Sequence, residues 1–245
     1  MARPSPDDLR ENRTMTDPAN DVAANLAEIK ARIDKAAADA GRPAGAARLI
    51  AVSKVQPVEK LEAALAAGHR LFGENRVQEA KAKFPSARER YPDIELHLIG
   101  PLQTNKVKDA VALFDVIQTL DRPKLAAALA EEGRRQGRLP RLLVEVNVGA
   151  EPQKAGIAPA DLAAFLDECR DIHGLIIDGV MCIPPADQEP APFFALLADL
   201  AQRHGLSEVS MGMSGDFELA VRLGASFVRV GTAIFGERIK PAAHA

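Results

Sequence analysis

Eight short runs of β-branched and apolar residues, each tied to an amphipathic Ala- and Leu-rich stretch, recur between residues 49 and 234. No other feature constrains the fold as much. Strands that alternate with helices form parallel sheets covered on both faces, which is why such strands read as nearly continuous apolar runs. The predicted strands span residues 49–54, 71–75, 95–100, 116–120, 142–148, 175–183, 208–213 and 227–234. Predicted helices span 58–67, 77–90, 105–114, 123–136, 160–170, 192–203 and 216–223. An opening helix, with Val22, Leu26, Ile29 and Ile33 at helical spacing before Gly41-Arg-Pro, supplies the eighth. Eight pairs point to a single (β/α)8 TIM barrel over residues 20–240, led by an N-terminal helix and with no second domain.

Composition removes several functions. The net charge is −3 and basic residues are scattered among acidic ones, so no basic field is offered to nucleic acid. No apolar run has the length of a membrane span, and the N-terminus lacks the apolar stretch of a signal peptide. Cys169 and Cys182 are too few for a secreted disulfide framework and read as small buried hydrophobes, which sets the expectation of a cytoplasmic protein. Residues 1–19 carry three prolines and almost nothing apolar, so they are expected to form a disordered tail, with Met15 an alternative start to Met1. Residues 241–245 form a second tail. No extended apolar surface patch is legible in the helices, and a monomer is expected.

The reactive face of such a barrel lies at the C-terminal ends of its strands. Lys54 closes the run Leu49-Ile-Ala-Val-Ser-Lys, where partial desolvation frees the amine for imine formation; the alternative is a lysine that reaches out to solvent. Ser214, in Ser210-Met-Gly-Met-Ser-Gly-Asp-Phe-Glu, is either a phosphate ligand or simply the cap of the next helix. Gly231 and Thr232 follow the eighth strand. Because barrels bind phosphate between the loops after strands seven and eight, the two small-residue turns reinforce each other. Arg229 shares a strand face with Gly231, and as a group that only donates it requires an acceptor, for instance an unprotonated ring nitrogen. Its alternative role is an ion pair with a strand carboxylate such as Glu145. Asn75 either caps the following helix or hydrogen-bonds a ring substituent. His97 reads as a hydrogen-bonded core histidine. His69, His173, His204 and His244 fall in helix-to-strand connections or the tail, on the wrong side for a metal set or a Ser-His-Asp triad, so no metal is expected.

At these motifs the chain resembles the pyridoxal phosphate homeostasis protein family, single-domain relatives of the alanine racemase N-terminal barrel. The resemblance runs from about residue 22 to 238 through Ala51-Val-Ser-Lys, Phe72-Gly-Glu-Asn-Arg-Val-Gln-Glu, His97-Leu-Ile-Gly-Pro-Leu-Gln-Thr-Asn-Lys, Ile183-Pro-Pro, Met211-Gly-Met-Ser-Gly-Asp and Arg229-Val-Gly-Thr-Ala-Ile-Phe-Gly. It implies pyridoxal 5'-phosphate (PLP) as cofactor, held as a Schiff base on Lys54, with Ser214, Gly231 and Thr232 at the phosphate and Arg229 at the pyridine nitrogen. It also implies a role in keeping free PLP low and supplying it to PLP-dependent apoenzymes, with effects on amino-acid balance. Leu96, where the family commonly has Trp, and the loop Val148-Gly-Ala-Glu-Pro-Gln-Lys depart from the pattern and put detail at the pocket rim in question.

A two-base racemase needs a second proton donor opposite the lysine, and the single tyrosine, Tyr91, lies in a helix-to-strand connection. An arginine at the pyridine nitrogen also weakens the ring as an electron sink. The expectation is therefore a carrier with no catalytic residues assigned. The rivals are an alanine racemase-type enzyme using Cys182 or a water as second acid, and a type I aldolase using Lys54 without PLP.

Overall fold

A computed structural model describes residues 18–237, with side chains described from residue 21. Residues 1–17 of the expected N-terminal tail, Met15 among them, and residues 241–245 with His244 lie outside those residues; Pro18 and Ala19, expected in the tail, instead open the first helix.

The elements follow in the order α1 (Pro18–Asp39), β1 (Arg48–Val52), α2 (Val58–Ala66), β2 (Leu71–Glu74), α3 (Val77–Arg90), β3 (Glu95–Leu98), α4 (Val107–Leu113), β4 (Val116–Leu120) and α5 (Pro123–Gln136). They continue with β5 (Arg141–Glu145), α6 (Leu162–Asp171), β6 (Gly179–Met181), α7 (Ala191–Arg203), β7 (Glu208–Ser210), α8 (Phe217–Arg222), β8 (Phe227–Val230) and α9 (Thr232–Phe235). All eight strands pair in parallel, and β8 returns to β1 to close the barrel. The TIM barrel expectation holds.

Outward-facing strand residues such as Phe72, Leu96, Ile117, Val144, Val180 and Val228 pack with the helices into one continuous apolar layer. The opening helix joins this layer through Val22, Leu26, Ile29 and Ile33, the stripe its spacing predicts. It lies across α2, α8 and α9, and Asn25 Nδ2 donates to the Ile234 carbonyl (2.9 Å).

All strands but β4 stop short of the C-terminal ends of their apolar runs, and the run over 175–183 falls short at both ends. The run over 175–183 contains a ladder only at Gly179–Met181, with Ile176 fully outside the core at 80% exposure. After β7 the chain turns at Gly212, whose φ of +87° is left-handed and whose missing Cβ would lie 2.5 Å from the Ala220 Cβ. Residues 231–234, read as the end of the last strand, instead turn at Gly231 into the short helix α9. What was expected as strand end is therefore loop or, after β8, a short helix, and these segments form the rim of the barrel.

Inside, the barrel has an ionic floor. Arg48, Glu95, Arg141 and Glu208, from β1, β3, β5 and β7, occupy one layer at the N-terminal end, as side chains from alternate strands do in such barrels. Arg48 Nη2 meets Glu208 Oε1 at 2.9 Å, and Arg141 Nη2 meets Glu95 Oε1.

Candidate functional site

At the opposite, C-terminal end, a cavity of about 270 Å³ is bordered by Lys54, Asn75, Ser214, Arg229, Gly231 and Thr232, with an apolar wall including Val52, Ile99, Ile183 and Met213. All six residues singled out in the sequence thus meet at one place. The volume sits near the lower end of the roughly 300–1,000 Å³ typical of small-ligand pockets.

Lys54 stands two residues beyond β1, on a turn with unusual backbone. The next residue, Val55, has φ of +58°, a left-handed conformation that a β-branched residue adopts only under constraint. The constraint is a buried polar knot. Ser53 Oγ donates to Glu74 Oε1 (2.7 Å), Lys83 Nζ donates to the Ser53 carbonyl (2.9 Å) and to Glu74 (3.2 Å), and Glu79 takes the Val55 N–H. Burial raises the Glu74 carboxyl to about 6, against the opposing pull of Lys83. These four residues hold the lysine turn and were not singled out from the sequence. Glu74 was visible only as a polar neighbour of Asn75.

Asn75 does not cap α3; that place belongs to Arg76, which makes no side-chain cap bond. Its Oδ1 is buried without a hydrogen-bond partner among the described residues, and its side chain borders the cavity. A buried orphan amide needs a partner, and a polar ligand supplies one. Ser214 likewise stands ahead of its helix instead of capping it. Asp216 precedes α8, and its Oδ1 accepts from the Met213 N–H (2.6 Å), which ties the turn and leaves the Ser214 hydroxyl facing Gly231 N (3.4 Å). The loops after β7 and β8 thereby converge. A Cβ at Gly231 would stand 3.2 Å from the Val52 carbonyl oxygen, so close packing there favours glycine. Thr232 begins α9, whose leading N–H groups have no partner within the helix. A hydroxyl, backbone N–H groups and a threonine make a suitable cradle for a phosphate.

Arg229 is 4% exposed and reaches the cavity from within the barrel. It does not pair with Glu145. Nη1 donates to Ser210 Oγ (2.7 Å) and Nη2 to the Cys182 carbonyl (2.8 Å), and among the described residues no carboxylate pairs with it directly. Burial lowers the Arg229 guanidinium from its ordinary value, and raises the Glu145 carboxyl to about 7, with Asp121 adding to that rise. Cys182 is buried and its thiol is pushed up to about 12.

The remaining polar candidates stay away from the cavity. His69, His173 and His204 lie in helix-to-strand connections, Tyr91 ends α3, and His97 is fully buried within the barrel. Among the described residues no group of three or more His, Cys, Asp or Glu could hold a metal ion. Leu96, expected to bear on the rim, faces the helices in the outer apolar layer. The loop after β5 is held by Lys154 Nζ on the Pro184 carbonyl (3.2 Å) and does not border the cavity.

The family described as alanine racemase, N-terminal domain, matches residues 24–239. The pyridoxal phosphate homeostasis protein of Pseudomonas aeruginosa is 41% identical over 226 residues, covering 89% of this chain and 96% of that protein. Its Vibrio cholerae counterpart is 39% identical over 229 residues, with the same coverage. The chain belongs to the pyridoxal phosphate homeostasis protein family. Among solved structures, PipY of Synechococcus elongatus with PLP bound is 39% identical and superposes with a TM-score of 0.75, over 88% of this chain and all of that one. Membership in this family extends over nearly the whole barrel, in agreement with the motif resemblance.

Proposed function

We propose that this chain binds PLP as a Schiff base on Lys54 and acts in intracellular PLP homeostasis, as a store and donor of the cofactor. The observation that carries the reading is the convergence of one amine, a two-loop phosphate cradle and a buried arginine on a single cavity. Its chemistry fits the cofactor. Lys54 supplies the attachment point, Ser214 with Gly231 and Thr232 the phosphate contacts, Arg229 a donor for the pyridine nitrogen, and the orphan Asn75 Oδ1 an acceptor for a ring hydroxyl. When bound, PLP supplies an electron sink for amine chemistry, which an obligate donor at the ring nitrogen makes weaker than a carboxylate partner would.

The residues that a racemase would need support the carrier instead. Cys182, the rival second acid, has its thiol held at about 12 and spends its carbonyl on Arg229, so it is poorly suited to give a proton near neutral pH. The same reading takes the chain as a monomer in the cytoplasm that supplies PLP-dependent apoenzymes. The two free, buried cysteines suit a reducing compartment, and no described helix is long and apolar enough to cross a membrane.

Borohydride reduction of the PLP-loaded protein, followed by peptide mapping, is expected to place a pyridoxyl group on Lys54; absence of that adduct overturns the reading. Incubation with single-enantiomer amino acids in deuterated water separates carrier from enzyme. Rapid α-deuteration with turnover would establish the racemase. An aldolase is excluded if the imine absorption band accompanies PLP uptake.

A further inference from the structure

Behind Arg229 an unbroken run of hydrogen bonds crosses the barrel to its floor. Arg229 Nη1 bonds Ser210 Oγ (2.7 Å), Ser210 Oγ bonds Gln118 Oε1 (2.7 Å), Gln118 Nε2 bonds His97 Nδ1 (2.7 Å), and His97 Nε2 bonds Glu95 Oε1 (2.9 Å). The members come from β8, β7, β4 and β3, and Ser210, Gln118 and His97 are completely buried. Arg229 borders the ligand cavity at one end, and Glu95 meets solvent at the other, at the edge of a cavity on the N-terminal face.

The run has one consistent direction. A guanidinium only donates, so Ser210 accepts from it and passes its single proton to the Gln118 oxygen. The Gln118 amide group then faces His97, whose Nδ1 must be the bare nitrogen. The imidazole proton sits on Nε2 and is given to Glu95. Every donor points from the ligand cavity toward the floor, and each link fixes the next. Burial lowers the His97 imidazole from its ordinary value, which favours the neutral form, against the attraction of Glu95.

We propose that Ser210, Gln118, His97 and Glu95 are positioning residues that orient Arg229 from the far end of the barrel, so that the neutral Nε2–H form of His97 is a condition for a firm grip on the pyridine nitrogen. This rests on the PLP reading of the cavity. The reason is stereochemical. A second proton on His97 would point Nδ1–H at the Gln118 amide group, and relief requires the amide to turn over. Ser210 would then face two donors, Gln118 and Arg229, and its own proton would lose its acceptor in the run. The groups that set the His97 proton are Glu95 on its own strand, Arg48 from β1, Arg141 from β5, Glu208 from β7 through its ties to both arginines, and the Phe227 ring edge from β8.

Three variants and two readouts test the proposal. His97→Leu cuts the run, His97→Gln restores an acceptor and a donor, and Glu95→Gln removes charge at the half-exposed end. In PLP-loaded protein, His97→Leu is expected to release PLP to an apoenzyme trap roughly tenfold faster, as loss of order around one charge-assisted hydrogen bond implies. The same variant should move the 15N resonance of labelled pyridine nitrogen. His97→Gln should stay within about twofold of wild type and Glu95→Gln should fall between. Unchanged release and an unchanged 15N shift in His97→Leu overturn the proposal; if that variant does not fold, an unchanged Glu95→Gln does so. The second readout needs no cofactor: 15N spectra of ligand-free wild type should show His97 as the neutral Nε2–H tautomer at pH 7. A cationic or Nδ1–H imidazole overturns the proposal even if PLP binds. Failure of wild type to take up PLP sinks the cofactor reading instead, and the His97 tautomer with the Arg229 side-chain 15N line width, sharp in wild type and broadened in Glu95→Gln, still decides the run.

Discussion

The same eight strands present two unlike faces. Their outer face joins the helices in one uninterrupted apolar layer, whereas the apolar residues of the interior fall into two small groups, Ile50, Val52, Ile99 and Phe227, and Val116, Leu143 and Met181. Between and below those groups run Arg229, Ser210, Gln118, His97 and the ionic floor. The outer face is continuous because every helix must bury its stripe against it. The interior is closed to helices and opens only at its ends, so its polar groups are free to serve a ligand, provided each finds a partner. Stability is thus concentrated outside the sheet and specificity inside it.

The largest effect should come from the outer layer. Phe84→Ala removes a fully buried ring packed 5.9 Å from Phe72 and should lower unfolding free energy by about 3–5 kcal/mol in denaturant titrations, while the folded fraction still binds PLP. A loss of under about 1 kcal/mol would erase the contrast. Inside the barrel, Arg229→Met leaves Ser210 and the Cys182 carbonyl without their donor. It should lower stability less, by roughly 1–3 kcal/mol, yet weaken PLP retention at least about tenfold.

Two interior carboxyls should respond to pH with opposite sign. Glu95, held at about 2 by its bond to His97 and by Arg141 and Arg48, contributes stability above its unfolded value of 4.5 that is lost as pH falls through 2, on the order of 2 kcal/mol after solvent screening. Glu145, raised to about 7 by burial, does the reverse: its neutral form favours the folded chain below pH 4.5, and that preference is lost as pH rises through 7, by roughly 1–3 kcal/mol. Urea titrations across pH should show Glu145→Gln flattening only the neutral slope and Glu95→Gln only the acid one. The smallest change belongs to the rim. Val55→Gly relieves a left-handed backbone but frees the unfolded chain, so stability should stay within about 1 kcal/mol while imine formation on Lys54 slows in stopped-flow absorbance; an unchanged rate would detach that turn from the lysine's placement.

The outer face was legible in the sequence because its signal is local. Val77–Arg90 and Pro123–Gln136 match the predicted helices to the residue, and β4 matches its apolar run. Strand ends were overrun because apolar composition continues past the last ladder bond: Lys54 and Asn75 sit on loops and Thr232 opens the short helix α9, all at positions that the pattern assigned to strands. The six residues that border the cavity were singled out by their position at those ends and by motif resemblance. The interior run was not found. Ser210 and Gln118 are 92 positions apart, and each looks like a stray polar residue until closure of the sheet makes them neighbours. The knot around Lys54 was missed for the same reason, since Ser53, Glu74 and Lys83 lie on a loop, a strand and a helix.

The seam between β1 and β8 has a consequence for how such a chain comes into being. It pairs Arg48 with Phe227 and Ala51 with Val230, while α1 rests against α9. No earlier strand can substitute for β8 at that edge, so the cylinder cannot shut until translation has passed residue 230. Through most of synthesis the first strand waits with one row of amides uncovered, a ready template for pairing with another chain. The opening helix can rest on α2 early, but its contacts with α8 and α9 wait for the same last stretch of chain.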